Sequence, residues 1–467
     1  MSVAEDAGRK AGPGELLRDF TATSAFSLAF AFISPIVALY SIFTVALTMV
    51  GPGFWWGFPI TLAGQMLVAL SFAMLVSRMP LEGSIYQWSR HIMGPTYGWF
   101  AGWAYIWTLP IAIAAVSLGG AGFLAQFLGL DASSKPVTVV LALALIAGIT
   151  LANTVGRKYL KLIIGLCIVA EIIGSIGLGI AFLTLYQVND FSVLSQGVID
   201  PATGGFLLPP LLFGVAIAGW AFVGFESAGS IAEEVKDPAR AVPKAMIFSL
   251  LFVSTIVAFS ALAVILAIPD LEAVKAGNVL DPVAATIEHH LGPVGLHFMT
   301  ATFVIGFIAC MVGLQASVSR VIWALAREGD LPMAKALAKL SGEDRLPVNA
   351  ILAAAVMSLI FFALSFTNIY MILLTFTTAG FYISFLFPAL AAAYERITQG
   401  PKPASFNLGK WSGVVIITAA IWLIFQTVNI SWPRFPELPW YENWAVPLVV
   451  TILAVLGFLV RAFLSKK

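Results

Sequence analysis

Gly214-Val215-Ala216-Ile217-Ala218-Gly219-Trp220-Ala221-Phe222-Val223-Gly224-Phe225-Glu226-Ser227-Ala228-Gly229-Ser230 is an apolar stretch with weaknesses built into it. Four glycines fall within its first sixteen residues, beside Trp220 and Glu226. Each glycine lowers helix propensity by about 1 kcal/mol and lets another backbone approach closely. Tight packing of small residues between membrane helices would account for the glycines. It does not account for an acid in the middle of an apolar run.

The rest of the chain sets the context. Of 467 residues, 60% are hydrophobic and only 10% charged, against about 25% charged in soluble domains. A solvated surface cannot be built from so few charges, and disorder is excluded on the same ground. With 25 basic and 24 acidic residues the net charge is +1, which excludes a basic nucleic-acid face. Uninterrupted apolar runs of about 20 residues read as spanning helices rather than the alternating strands of a barrel. Residues 1–19 are polar and mixed in charge, so the first run reads as a retained span. Cys167 and Cys310 lie inside apolar runs and form neither a disulfide pattern nor a metal cluster. No cofactor is expected.

Hydropathy gives twelve runs, so both termini share one side. On that count 22 of the 25 basic residues fall on the terminal side; only Lys135, Lys275 and Arg434 fall on the other. The positive-inside rule then places the termini in the cytoplasm of a multi-pass cell-membrane (plasma or inner membrane) protein. Ile85–Met93 and Met333–Leu340 look amphipathic. They read as interfacial helices or as elements of a cytoplasmic gate.

A uniform apolar helix is scaffold; function is sought where a span is broken or charged. Span 1 carries Ile33-Ser34-Pro35-Ile36 at its middle. Proline lacks an N–H and crowds the preceding turn, so the helix kinks or opens there. Freed backbone groups at that depth require protein or a wet cavity to satisfy them. Span 6 carries the glycine-rich stretch. The breaks open two blocks of five spans, residues 21–187 and 208–395, preceded by a tail of residues 1–20. Two further spans follow over 411–464, with residues 465–467 as the C-terminus. Paired blocks led by interrupted helices are the mark of an inverted-repeat transporter with its site at the midplane. The expected fold is an all-α integral membrane protein of twelve transmembrane helices, with helices 1 and 6 broken.

Only two acids, Glu171 and Glu226, lie deep in spans. Such a position costs at least about 2.5 kcal/mol for a charge, and a carboxyl removed from water more readily keeps a proton. No basic residue lies equally deep. The partner of these acids is therefore a proton, a metal cation or a cationic solute.

The stretch Gly219 to Ala228, continued by Ala232-Glu233-Glu234-Val235-Lys236-Asp237-Pro238-Ala239-Arg240-Ala241-Val242-Pro243, resembles the sixth-span signature of the amino acid–polyamine–organocation transporters. Ala316-Ser317-Val318-Ser319-Arg320-Val321-Ile322-Trp323-Ala324-Leu325-Ala326-Arg327-Glu328-Gly329-Asp330-Leu331-Pro332 resembles the end of that family's span 8. The resemblance implies a LeuT-like fold with five-plus-five inverted repeats. It implies that Trp220 is the aromatic gate over the solute, and that Ala218, Gly219 and the residues to Val223 form the unwound segment. Ile33-Ser34-Pro35-Ile36 stands where many members carry Gly-Ser-Gly to hold a carboxylate, and residues 25–40 look closer to the amino acid/choline (GABA permease-like) branch. Glu171 stands where many proton-coupled members have lysine. It would take up a proton, hold sodium with Ser317 and Ser319 of span 8, or attract a cationic solute. Gln315 is a candidate wall residue.

The expected function is secondary active uptake of an amino acid or small amine by alternating access. The ammonium group would lie near span 6 carbonyls and Glu226, with proton or sodium coupling at Glu171. Arg320 and Arg327 would stabilise a closed inner gate through Glu233 and Glu234. An antiporter, a choline-like amine carrier or a polyamine carrier stays open, as does a transporter-like membrane sensor. An enzyme is not expected: the four histidines fall near loops and helix ends, with no nucleophile–base spacing.

Overall fold

The computed structural model describes residues 16, 18–364, 369–434, 436–437 and 439–464. Most of the expected N-terminal tail and residues 465–467 lie outside the described residues. Ten helices among the described residues are long and apolar enough to cross a membrane. Two shorter apolar helices, Leu208–Ala221 and Val348–Ile360, take the places of spans 6 and 9. Among the described residues chain order thus gives twelve crossings, spans 1 to 12: Ala22–Tyr40, Pro52–Arg78, Pro95–Phe127, Lys135–Val155, Lys158–Leu185, Leu208–Ala221, Pro238–Ala267, Pro282–Arg327, Val348–Ile360, Ile372–Gln399, Gly409–Ser431 and Ala445–Leu464. The architecture is the all-α, twelve-span fold with spans 1 and 6 broken.

The spans sort into an inner bundle and an outer layer. In spans 1, 3, 8 and 10, between 72% and 78% of the most apolar window is buried; in spans 4, 11 and 12 the share is 28%, 33% and 11%. The outer spans expose large apolar side chains such as Leu151, Ile421 and Phe458. In a membrane these face lipid tails, which solvate them as well as a core would.

Three departures from regular helix position the site. Span 1 is interrupted at Ser34 (φ 47°), between Ala22–Ile33 and Pro35–Tyr40. The residue before a proline is pushed out of the helical region, so the break falls on Ser34 rather than on Pro35. Span 5 widens from Arg157–Glu171 into a π-helical turn, Ile172–Gly177, before resuming at Leu178–Leu185. Span 6 stops at Ala221 and restarts as the single turn Ser227–Ser230.

The helix Ile85–Met93 forms as expected. Of Met333–Leu340 only Ala334–Leu337 is helical. The first and last described parts of the chain lie at one end of the bundle: Phe20 pairs with Val235, and Arg461 reaches Asp330 at 3.1 Å.

Candidate functional site

Glu171 ends the regular part of span 5 and faces the break in span 1. Ser34 Oγ donates to its Oε1, the Ile36 N–H donates to its Oε2 at 3.0 Å, and Ser175 Oγ donates to the same oxygen at 3.2 Å. The carboxyl is 1% exposed. The break leaves polar backbone groups without helical partners, and buried groups of that kind need replacements. Glu171 takes the Ile36 N–H, Ser34 Oγ accepts the Val37 N–H at 3.3 Å, and the Cys310 thiol donates to the Phe32 carbonyl at 3.0 Å. The π-turn frees carbonyls that are used in the same way. Tyr40 donates to Gly174 O at 3.1 Å and Ser260 to Ser175 O at 3.1 Å.

Glu226 lies at the end of the span 6 break and is fully buried. Tyr105 of span 3 donates to its Oε1 at 2.7 Å, and the Gly224 N–H donates to Oε2 at 2.9 Å. Gln65 of span 2 donates to the freed Phe222 carbonyl at 3.1 Å. The interruption covers Phe222–Glu226, later than the expected Ala218–Val223. Ala218, Gly219 and Trp220 remain helical. The decisive glycine is Gly224, with φ +101°; a Cβ there would lie 2.3 Å from Phe32. Gly219 instead faces Tyr382 and Gln426 from within the helix. The same contact brings the two breaks together, since Phe32 and Ile33 of span 1 lie directly against Gly224.

A cavity of about 940 Å³ descends to the two broken helices, beside their interruptions, from the end opposite Phe20 and Arg461. Tyr40, Ser41, Ala216, Trp220 and Thr378 line it where it reaches the broken helices, and Lys135, Asp281, Arg434 and Glu442 line it at helix ends and loops. Trp220 sits in the last turn before the span 6 break. Neither Glu171 nor Glu226 lines the cavity. An open vestibule thus ends at an indole, with two satisfied carboxyl groups outside it.

The amino acid permease family profile matches residues 24–456. The chain belongs to the amino acid permease family. Among curated relatives, it is 28% identical over 382 residues to a branched-chain amino acid permease of Lactococcus lactis subsp. cremoris, covering 77% of this chain and 79% of the relative. It is 25% identical over 307 residues to a serine/threonine exchanger of Bacillus subtilis, covering 66% of each. Among solved structures, a crystal structure of the Eremococcus coleocola manganese transporter shares the fold. Its TM-score is 0.59 at 12% identity, covering 95% of this chain and 94% of that one. The family and these curated relatives are transporters rather than enzymes.

Three expected site residues of the permease lie elsewhere. Gln315 faces span 4: it donates to Thr150 Oγ1 at 2.7 Å and accepts from Asn153 at 3.0 Å. Ser317 and Ser319 do not hydrogen-bond to Glu171. Ser319 donates to Ala316 O at 2.8 Å and accepts from Arg320 at 3.1 Å; the Ser317 hydroxyl is buried without a partner. Span 8 meets the span 1 break through Gly306, Cys310 and Gly313. At 1.5 Å per residue, Ser317 lies roughly 10 Å further along the helix than Cys310.

The end of the permease that carries the termini is shut. Arg320 Nε donates to Glu234 at 2.9 Å, with both side chains buried. Arg327 forks Glu233 at 2.9 and 3.0 Å. Asp330 receives Tyr86 at 2.7 Å, Arg90 at 2.5 Å and Arg461 at 3.1 Å. The expected pairing of Arg320 and Arg327 with Glu233 and Glu234 is present. Sequence reading placed 22 acids near water, yet Glu82, Glu234 and Asp330 are buried here. Tyr105, Tyr40 and Gln65 were not singled out either, and Cys310 was read only as a cysteine inside an apolar run. A lone polar side chain in an aromatic-rich apolar run carries no signal until its neighbour is known.

Proposed function

We propose that this permease is a plasma-membrane carrier with cytoplasmic termini that takes up an amino acid by alternating access, coupled to protons through Glu171. Its relatives' substrates, branched-chain amino acids and serine or threonine by their names, support an amino acid solute. The basic residues concentrated at the terminal end support the orientation. The cavity would then face outward, with Trp220 closing over solute. Glu226 would receive an ammonium group once Tyr105 or Gly224 yields an oxygen. A polycation would find few acids along the cavity, with Asp281 and Glu442 lining only its outer part.

The observation that carries the coupling assignment is the grip of Glu171 on both sides of the span 1 break. A carboxylate can accept all three of its bonds; a protonated carboxyl must also donate one. Gaining or losing a proton therefore changes how span 5 holds the hinge of span 1. The groups around Glu171 favour a proton over sodium. The Ile36 N–H cannot ligate a cation, the two hydroxyls are turned to donate, and sodium requires a set of oxygen acceptors.

Glu171→Gln in proteoliposomes tests this reading. Accumulation driven by an imposed proton gradient falls to the level without a gradient, while exchange of internal for external solute stays within a few-fold of the unaltered protein. Undiminished gradient-driven accumulation would remove Glu171 from coupling. Accumulation that follows a sodium gradient alone would replace the proton.

A further inference from the structure

The closed end holds a buried carboxyl that the pairing of arginines with acids leaves over. Glu82 lies in the turn after span 2 and is 0% exposed. Its Oε2 accepts the Glu233 N–H at 3.1 Å, and its own N–H donates to Glu233 Oε1 at 3.0 Å. Its Oε1 is buried with no hydrogen-bond partner.

The groups around it come from three elements. The segment after span 6 brings Glu233 and Glu234. Span 8 brings Arg320, committed to Glu234, and Arg327, committed to Glu233. The N-terminal segment brings Phe20, whose N–H donates to Glu234 O at 2.9 Å and whose carbonyl accepts from Lys236 at 2.9 Å. Arg18 and Asp19 stand exposed beside Phe20. Three carboxyls and two guanidiniums meet at the centre. A buried carboxylate with a bare oxygen, next to two others, is costly, and one proton removes the cost.

We propose that Glu82 is a proton site built into the inner seal: it takes a proton from the cytoplasm when the seal closes and returns it to the same side when the seal opens. The proton does not cross the membrane, so this site regulates and does not drive transport. It makes the permease sensitive to cytoplasmic acid independently of Glu171. The inference rests on the orientation proposed above.

Burial, then Glu234 and Glu233, raise the Glu82 carboxyl well above the usual carboxylate range, with Arg320 pulling the other way. In the open state Glu82 is hydrated and returns to ordinary values. The closed state therefore binds the proton more tightly, so closure is favoured as cytoplasmic pH falls. The advantage fades as pH rises through the closed-state value. One proton shifts the ratio of open to closed by at most about tenfold per pH unit.

The test uses the full chain with Ser317→Cys as reporter, in everted vesicles whose outer face is cytoplasmic. Ser317 is buried three residues from Arg320 on span 8. Labelling by an impermeant maleimide is corrected for the unaltered chain, whose two cysteines are buried, and divided by labelling after denaturation. Between pH 8 and pH 6 the corrected labelling falls several-fold. With Glu82→Gln, which keeps shape and an acceptor oxygen but holds no charge, labelling is low and flat. With Glu171→Gln it still falls with pH. A pH response that survives Glu82→Gln, or one that vanishes with Glu171→Gln, would overturn the proposal. Labelling confined to right-side-out vesicles would overturn the orientation and the proposal with it.

Discussion

Glu171 and Glu226 are each held by donors from distant parts of the chain, and removing one donor isolates the role of the bond. Tyr105→Phe takes the hydroxyl from Glu226 Oε1 and leaves the ring in place. A buried acceptor left bare costs about 1–3 kcal/mol. The variant should melt several degrees lower in detergent and transport more slowly; an unchanged melting temperature and rate would show that Glu226 does not depend on Tyr105. Both acids were legible in the sequence because a carboxyl inside an apolar run is conspicuous. Their partners were not. Ser34 is 137 residues from Glu171, and Tyr105 is 121 residues from Glu226. Ser317 and Ser319 were the span 8 hydroxyls that the family resemblance set opposite Glu171, but the rise of span 8 carries them past the hinge.

Among the elements, the two broken helices depend on local chemistry and on contact in different proportions. The span 1 break was visible from Ser34-Pro35 because proline imposes it locally. The span 6 break was visible as a glycine-rich stretch but not at its position. Four glycines offered four places to stop, and the one selected, Gly224, is where Phe32 of span 1 presses closest. Gly224→Ala places a Cβ into that contact on backbone at φ +101°, and both effects oppose folding. The expected outcome is loss of transport with markedly reduced folded yield. Normal yield and normal transport would mean that the two breaks can separate without cost. The π-turn of span 5 gave no signal, because a single-turn insertion does not disturb a hydropathy run.

For the whole molecule, the balance between an open cavity and a closed opposite end is a matter of a few ion pairs. Arg320→Ala removes the guanidinium that buried Glu234 holds at 2.9 Å, and breaking a buried pair costs up to about 3–5 kcal/mol. The loss falls on the closed state, since opening hydrates Glu234. The variant should shift towards opening at the terminal end, read as increased labelling of Ser317→Cys in everted vesicles. Adding Glu234→Gln should restore much of the closed population, since the buried carboxylate that lost its guanidinium is then replaced by a neutral amide. Labelling unaffected by Arg320→Ala would show that this pair does not hold the seal.

The sequence by itself determined the membrane class, the twelve crossings, the two broken helices and the two mid-span acids. Each follows from sums over neighbouring residues: apolar length, the geometry of proline and glycine, and the cost of charge in lipid. Only the tertiary structure decided which hydroxyls hold Glu171 and Glu226, where span 6 stops, and that Glu82 is buried against Glu233, 151 residues away. Burial and hydrogen bonding are properties of contacts between segments, and an acid in a turn reads as solvated until another loop closes over it.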